Sequence, residues 1–315
     1  MPRSRITLLL ALLSLSAAVA AAEAPLHRTF NVAPGGTLTV DADVGDIQVS
    51  PGAGGVTVDV FRRGRDEQDL EVTFDQQGND VLVRARNHRA SRWFNWSSNL
   101  DVRFVITVPS RYNVQLTTSG GDVRVGDLQG DVRCKTSGGT VHTGRITGPV
   151  DAKSSGGDVT VDGATGNVDL RTSGGGIRIG DAGGAIQART SGGSIEVHHA
   201  GADLYARTSG GGIAIDEALG AVDAQTSGGS IRARIAQQPR GDSRLSTSGG
   251  SITISVAPAV AVDLDAHTSG GEVDTEVPVT LLGRQSDSSL EGKINGGGPK
   301  LVLRSSGGGI RLRKM

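Results

Sequence analysis

Aromatic residues are scarce in this chain, 3% of its 315 positions, and cysteine is nearly absent, with Cys134 the sole example. The first scarcity argues against an ordinary globular core, which draws much of its contact area from Phe, Tyr and Trp. The second excludes an intramolecular disulfide, so packing and backbone hydrogen bonds must hold the fold. Neither sign of charge prevails: 32 Lys and Arg face 33 Asp and Glu, a formal net charge of -1. That balance leaves no whole-chain electrostatic footprint for nucleic acid, which is not expected as a partner. Beyond the N-terminal segment no run approaches the roughly 20 apolar residues needed to cross a bilayer, and no sustained helical period is found.

Glycine is plentiful, with 48 residues, and much of it falls on a beat. Thr-Ser-Gly or a near relative returns every eighteen residues, with serines at Ser119, Ser137, Ser155, Ser173, Ser191, Ser209 and Ser227, then two steps of twenty-one to Ser248 and Ser269. A fixed period of this size marks a chain that coils and stacks on itself. In Thr136-Ser137-Gly138-Gly139 the glycines admit positive φ and close backbone approach, while the hydroxyls satisfy turn amides, so the group predicts a corner. An alternating strand follows each corner, with inward rows Val123, Val141, Val159, Ile177, Ile195, Ile213, Ile231, Ile252, Val273 and Val125, Val161, Ile179, Val197, Ile215, Ile254.

Nine residues on, glycines such as Gly130, Gly148 and Gly166 open a second strand, with rows from Val132 to Val222 and from Cys134 to Ala224. Cys134, in a row otherwise of Ala and Leu, is expected to be an inert core thiol. A further row, Leu128, Ile146, Ala164, Ala182, Ala200, Ala218 and Ala236, predicts a core that thins at one edge. One coil buries too little apolar surface to offset the entropy of ordering its backbone, so coils must stack. The expected fold is all-β: a single-chain β-solenoid, β-helix-like, with about 18 residues per coil and two short strands in each.

The N-terminus reads as a basic start, Met1-Pro2-Arg3-Ser4-Arg5, an apolar run from Ile6 to Val19 and a small-residue cleavage region, the pattern of a signal peptide over 1–22. Export follows, to the periplasm or the cell surface. Residues 25–117 lack the beat but keep its local grammar and are read as irregular N-terminal coils capping the stack, with a separate small β-domain as the alternative. Residues 118–280 form the regular solenoid, and 281–315 the C-terminal closing coils.

Gly45-Asp46-Ile47-Gln48-Val49, the Thr-Ser-Gly-Gly beat, Val108-Pro109 before the first regular repeat, and Ile294-Asn295-Gly296-Gly297-Gly298 followed by Ser306-Gly307-Gly308 carry a resemblance. Over residues 28–313 the chain resembles the bacterial putative-adhesin β-strand-repeat family, a domain of unknown function. The resemblance implies a β-solenoid and brings no catalytic residue and no cofactor to place on this sequence.

Two groups are candidate contacts for a ligand or partner. Lys135, Lys153, Arg171, Arg189 and Arg207 stand just before successive corners and would form a basic stripe able to hold an anionic polymer, with Asp151, Asp169 and Asp223 near enough to neutralise it. Trp93, Phe94 and Trp96, flanked by Arg86, His88, Arg89 and Arg92, would stack on sugars, dip into a membrane interface or plug the end of the stack.

Other motifs read as incidental. The calcium-roll pattern is not met, the pair His198-His199 lacks metal-ligand spacing, and Arg240-Gly241-Asp242 is taken as coincidence. No nucleophile-base partnership is legible. The chain is therefore read as an exported, non-catalytic adhesin or envelope scaffold whose partner is a cell-envelope glycan or surface protein. A glycan- or envelope-polymer-binding module is the alternative, and a polysaccharide-active enzyme the third reading.

Overall fold

The structure, a computed structural model, describes residues 25–64, 67–88, 100–282 and 286–315; the signal-peptide segment 1–22 lies outside the described residues. Two largely parallel sheets of fifteen strands each share one hydrophobic core. From Val141 to Thr226 every coil gives one strand to each sheet, as Ile177–Ala182 and Ile186–Arg189 do. Register pairs residues eighteen apart: Val141, Val159, Ile177, Ile195 and Ile213 in the first sheet, and Val150, Val168, Ile186, Leu204 and Val222 in the second. All ten are buried. A slip by one residue would turn the whole set to water, so the apolar alternation itself fixes the register.

The corners divide their labour differently from the expectation. In each Thr-Ser-Gly-Gly group the Thr is buried and the Ser exposed, so a single hydroxyl does the work. Thr226 Oγ1 donates to the Gly211 carbonyl at 2.7 Å and accepts the Gly229 N–H at 3.3 Å; Thr190, Thr247 and Ser305 repeat the pattern. A column of hydroxyls thus runs inside the solenoid and stitches each corner to the one before. The glycines of these corners are not in the left-handed region, in contrast to Gly130 and Gly148 at φ 149° and 153°. Proximity is what demands glycine at Gly139: a Cβ there would collide with the carbonyl oxygen of Gly121 one coil below, and the same holds at Gly193 and Gly229.

Two apolar rows are interrupted. Between Val125 and Val161 the inward position belongs to Thr143, fully buried, whose hydroxyl finds no hydrogen-bond partner among the described residues. Ala236 does not continue the thin row; it is half-buried, and Ile235 points inward against Val256 in its place, because the loop of the twenty-one-residue step departs there.

The ends are threaded out of sequence. The strands Thr37–Ala42 and Asp46–Gly52 pair directly with Asn113–Thr118 and Val123–Val125, while the intervening chain turns outward. Asp80–Asn87 and Leu100–Pro109 cover that first coil, and Leu26–Phe30, Val56–Gly64 and Leu70–Gln77 add antiparallel strands beyond them. The far end repeats the scheme. Ile252 is followed in the stack by Ile310, and only then by Val273, so the expected direct step from Ile252 to Val273 is corrected: Lys300–Ser305 and Ile310–Lys314 are inserted between two earlier coils. Ser289–Ile294 and Thr280–Leu281, antiparallel, close that end of the second sheet.

Candidate functional site

Lys135, Lys153, Arg171, Arg189 and Arg207 occupy neighbouring strands in strict register on the outside of the second sheet. The adjacent outward row is Arg133, Asp151, Asp169, Gln187, Tyr205 and Asp223. The two rows answer each other. Lys153 Nζ lies 3.0 Å from Asp151 Oδ1, and Arg171 pairs with Asp169 at 2.9 Å and donates to Gln187 Oε1 at 3.3 Å. Arg189 stacks over the Tyr205 ring, 4.8 Å from its centroid, and Arg207 donates to Gln225 Oε1 at 2.7 Å and to the Tyr205 hydroxyl at 3.4 Å. Of the five, Lys135 has no side-chain partner among the described residues. Pairs this exposed add little stability; they neutralise Lys153 and Arg171, while the neutral Tyr205 and Gln225 orient Arg189 and Arg207 without removing their charge.

Beside the ladder lies an open groove of about 470 Å³, lined by Asn167, Gln187, Asp203, Tyr205, Asp223 and Asp242 among others. Asp242 comes from the loop that lengthens its coil to twenty-one residues. Three of the groove's acceptors are engaged by backbone: Asn167 Oδ1 takes the Ala185 N–H, Asp203 Oδ1 that of Ala221 and Asp242 Oδ1 that of Lys300, all within 3.0 Å. The carboxylate of Arg240-Gly241-Asp242 therefore holds a neighbouring strand.

These contacts have a counterpart at the corners that lead into the first sheet, an acceptor ladder that sequence reasoning missed. Asp122, Asp158 and Ser194 each accept the backbone N–H of the residue eighteen positions on, Thr140, Gly176 and Gly212. Ser230 does the same for Ser251 across the longer step. The signal was present as a spacing of thirty-six, one short polar acceptor at every second coil. Asp122 shows the effect on charge: the Thr140 N–H, with Arg124 beside it, holds its carboxyl below the usual range. Asp41, hydrogen-bonded by Arg86, is likewise lowered.

Histidines pair rather than cluster. His198 Nδ1 sits 2.8 Å from Asp216 and His199 Nδ1 3.1 Å from Glu217, two separate contacts between adjacent coils. Among the described residues no group of three His, Cys, Asp or Glu side chains is placed to hold a metal ion. One nucleophile-base arrangement does exist, contrary to the sequence reading: Thr29 Oγ1 is 3.2 Å from His27 Nε2, and His27 Nδ1 is 2.6 Å from Asp59. It stands on the edge strand Leu26–Phe30 with His27 58% exposed, where bulk water screens its charges. Trp93, Phe94 and Trp96, with Arg89 and Arg92, lie outside the described residues. Of their flank, Arg86 pairs with Asp41 and Asp43, and His88 Nε2 with Glu71 at 2.9 Å.

Residues 36–205, more than half of the chain, match the family model described as Toastrack DUF4097. The chain belongs to this family. Solved structures similar to this Toastrack chain include a putative cell adhesion protein from Clostridium sporogenes ATCC 15579, 8% identical with a TM-score of 0.24, covering 92% of this chain and 100% of that one. A putative adhesin from Bacteroides fragilis NCTC 9343 is 14% identical with a TM-score of 0.37, covering 93% and 98%. A putative lipid binding protein from Parabacteroides distasonis ATCC 8503 is 12% identical with a TM-score of 0.38, covering 93% and 97%. Likenesses this distant transfer no ligand to the Toastrack chain. No curated protein matches it. Among the described residues no helix is long and apolar enough to cross a membrane.

Proposed function

We propose that this Toastrack chain is an exported, non-catalytic β-solenoid that acts as an adhesin or cell-envelope scaffold, displaying its flat outer faces to a surface glycan or protein. One observation carries the reading: on the outer face of the second sheet the polar groups are largely engaged within the solenoid itself. The stripe pairs with its neighbouring row, and the groove acceptors hold the next coil's amides. Such a surface suits display along a rigid body; fifteen strands at ~4.8 Å spacing give a length of roughly 65 Å. Export is supported by the basic, apolar and small-residue order of residues 1–22.

Partner contact is assigned to Trp93, Phe94 and Trp96 and to the row from Lys135 to Arg207. A pull-down from whole cell envelopes, comparing wild type with Trp93→Ala/Trp96→Ala, tests the first assignment. Loss of partners in the variant supports it; recovery of the same partners by both removes the loop from the contact. Retention of the full-length chain in the cytoplasm, or release of reducing ends from envelope polysaccharide, would overturn the reading as a whole.

A further inference from the structure

A cluster of arginines without ion-pair partners lies on the other sheet, where the threaded C-terminal strand creates it. Insertion of Ile310–Lys314 beside Ile252–Val256 brings Arg311 and Arg313 two strands from Arg232 and Arg234, although the pairs are far apart in sequence. All four alternate with buried residues and are exposed on the outer face. The strand between them turns only two hydroxyls outward, Thr253 and Ser255. Strand geometry sets the members of each pair about 6.5 Å apart and the two pairs about 9 to 10 Å apart. Unlike Lys153 and Arg171, none of the four has a side-chain hydrogen bond or ion pair among the described residues. The flanking carboxylates form no ion pair with them: Asp274 is in register with Arg311 and Glu276 follows it beside Arg313, both exposed and neither within pairing distance, and Asp216 is engaged by His198.

We propose that this face binds a linear anionic polysaccharide, whose carboxylate or sulfate groups bridge the two arginine pairs across the hydroxyl row. Guanidinium is permanently charged and forks onto planar or tetrahedral oxyanions, so the four arginines form anchoring points rather than a diffuse field. Sugar hydroxyls between the anions meet Thr253 and Ser255. The occupant is not a membrane, because the outward positions here offer no apolar group for the acyl boundary. Nor is it a nucleic acid, because no aromatic side chain stands on this face to stack a base.

Titration calorimetry of the purified chain with polygalacturonate and with heparin oligosaccharide tests this, with phosphatidylglycerol vesicles and single-stranded DNA as competing partners. Wild type is expected to bind at least one polyanion, more weakly as salt rises. Arg232→Gln/Arg234→Gln and Arg311→Gln/Arg313→Gln are each expected to weaken it about tenfold or more, as loss of charge-assisted contacts requires. Arg178→Gln, at an exposed arginine of the same sheet that is paired with Glu196, should bind as wild type does. Undiminished affinity in the quadruple Gln variant, with its circular dichroism and melting midpoint intact, overturns the proposal. So does a wild type that ignores both polyanions, or one that prefers the vesicles or the DNA. Any of these outcomes leaves the scaffold reading standing, since that reading needs no unpaired charge.

Discussion

Thr143 and Thr226 are both buried threonines of the same solenoid, and their hydroxyls meet opposite fates. Thr226 gives and receives a hydrogen bond, whereas Thr143 does neither. An unsatisfied buried polar group costs about 1 to 3 kcal/mol, so Thr143→Val should raise the melting midpoint and Thr226→Val should lower it, each by about 1 kcal/mol or more in stability. Equal effects of one sign would contradict the pairing. Cys134 gives a prediction in pH. Burial first, then Asp151, pushes its thiol up to about 12 from an ordinary 9.0. Between those values the unfolded chain has released a proton that the folded chain keeps, so folding stability falls as pH rises through that window. Cys134→Ala should flatten the loss in alkaline denaturation curves, and the native thiol should resist a disulfide reagent at neutral pH. Its inward, inert place was legible from the company it keeps in its row. Thr143 was not, because a lone polar residue in an apolar row does not reveal whether a partner lies within reach.

At the scale of the corner, what was legible was the position and not the reason. Thr-Ser-Gly-Gly announces a turn in any reading, yet φ at Gly138 and Gly139 is outside the left-handed region, and the constraint comes from the coil beneath. Only stacked neighbours reveal it. The consequence separates two glycines one residue apart: a Cβ on Gly120 meets open space, and one on Gly121 meets the backbone of Gly45 and Asp46. Gly120→Ala is expected to change stability by less than about 0.5 kcal/mol and Gly121→Ala to cost more than about 2 kcal/mol, measured by thermal melting of the two variants side by side. The acceptor ladder of Asp122, Asp158 and Ser194 belongs to the same scale. Its period of two coils hid it behind the stronger beat of one.

For the whole molecule, the period foretold a two-sheet stack and its register, and failed at the ends, where order in the chain departs from order in space. Ser248 and Ser269 are twenty-one apart, which suggests direct neighbours, but the strands 300–314 lie between their coils. Local pattern cannot foresee such an insertion, since each strand is apolar on the correct face in either arrangement. The arginine face arises from it and was invisible for the same reason. Truncation after Pro299 tests the threading: Ile252–Val256 and Val273–Thr275 should lose hydrogen-exchange protection while strands from Val141 to Ala218 retain theirs. If 281–315 lay simply at the tip, only the last coil would loosen.

This placement also decides how the body responds to load. A pull on Lys314 acts on a strand gripped by a parallel neighbour on each side, so its bonds are strained together in shear instead of parting one after another. A tether attached at that end would draw against the wall of the solenoid, and fraying from the tip would not release it.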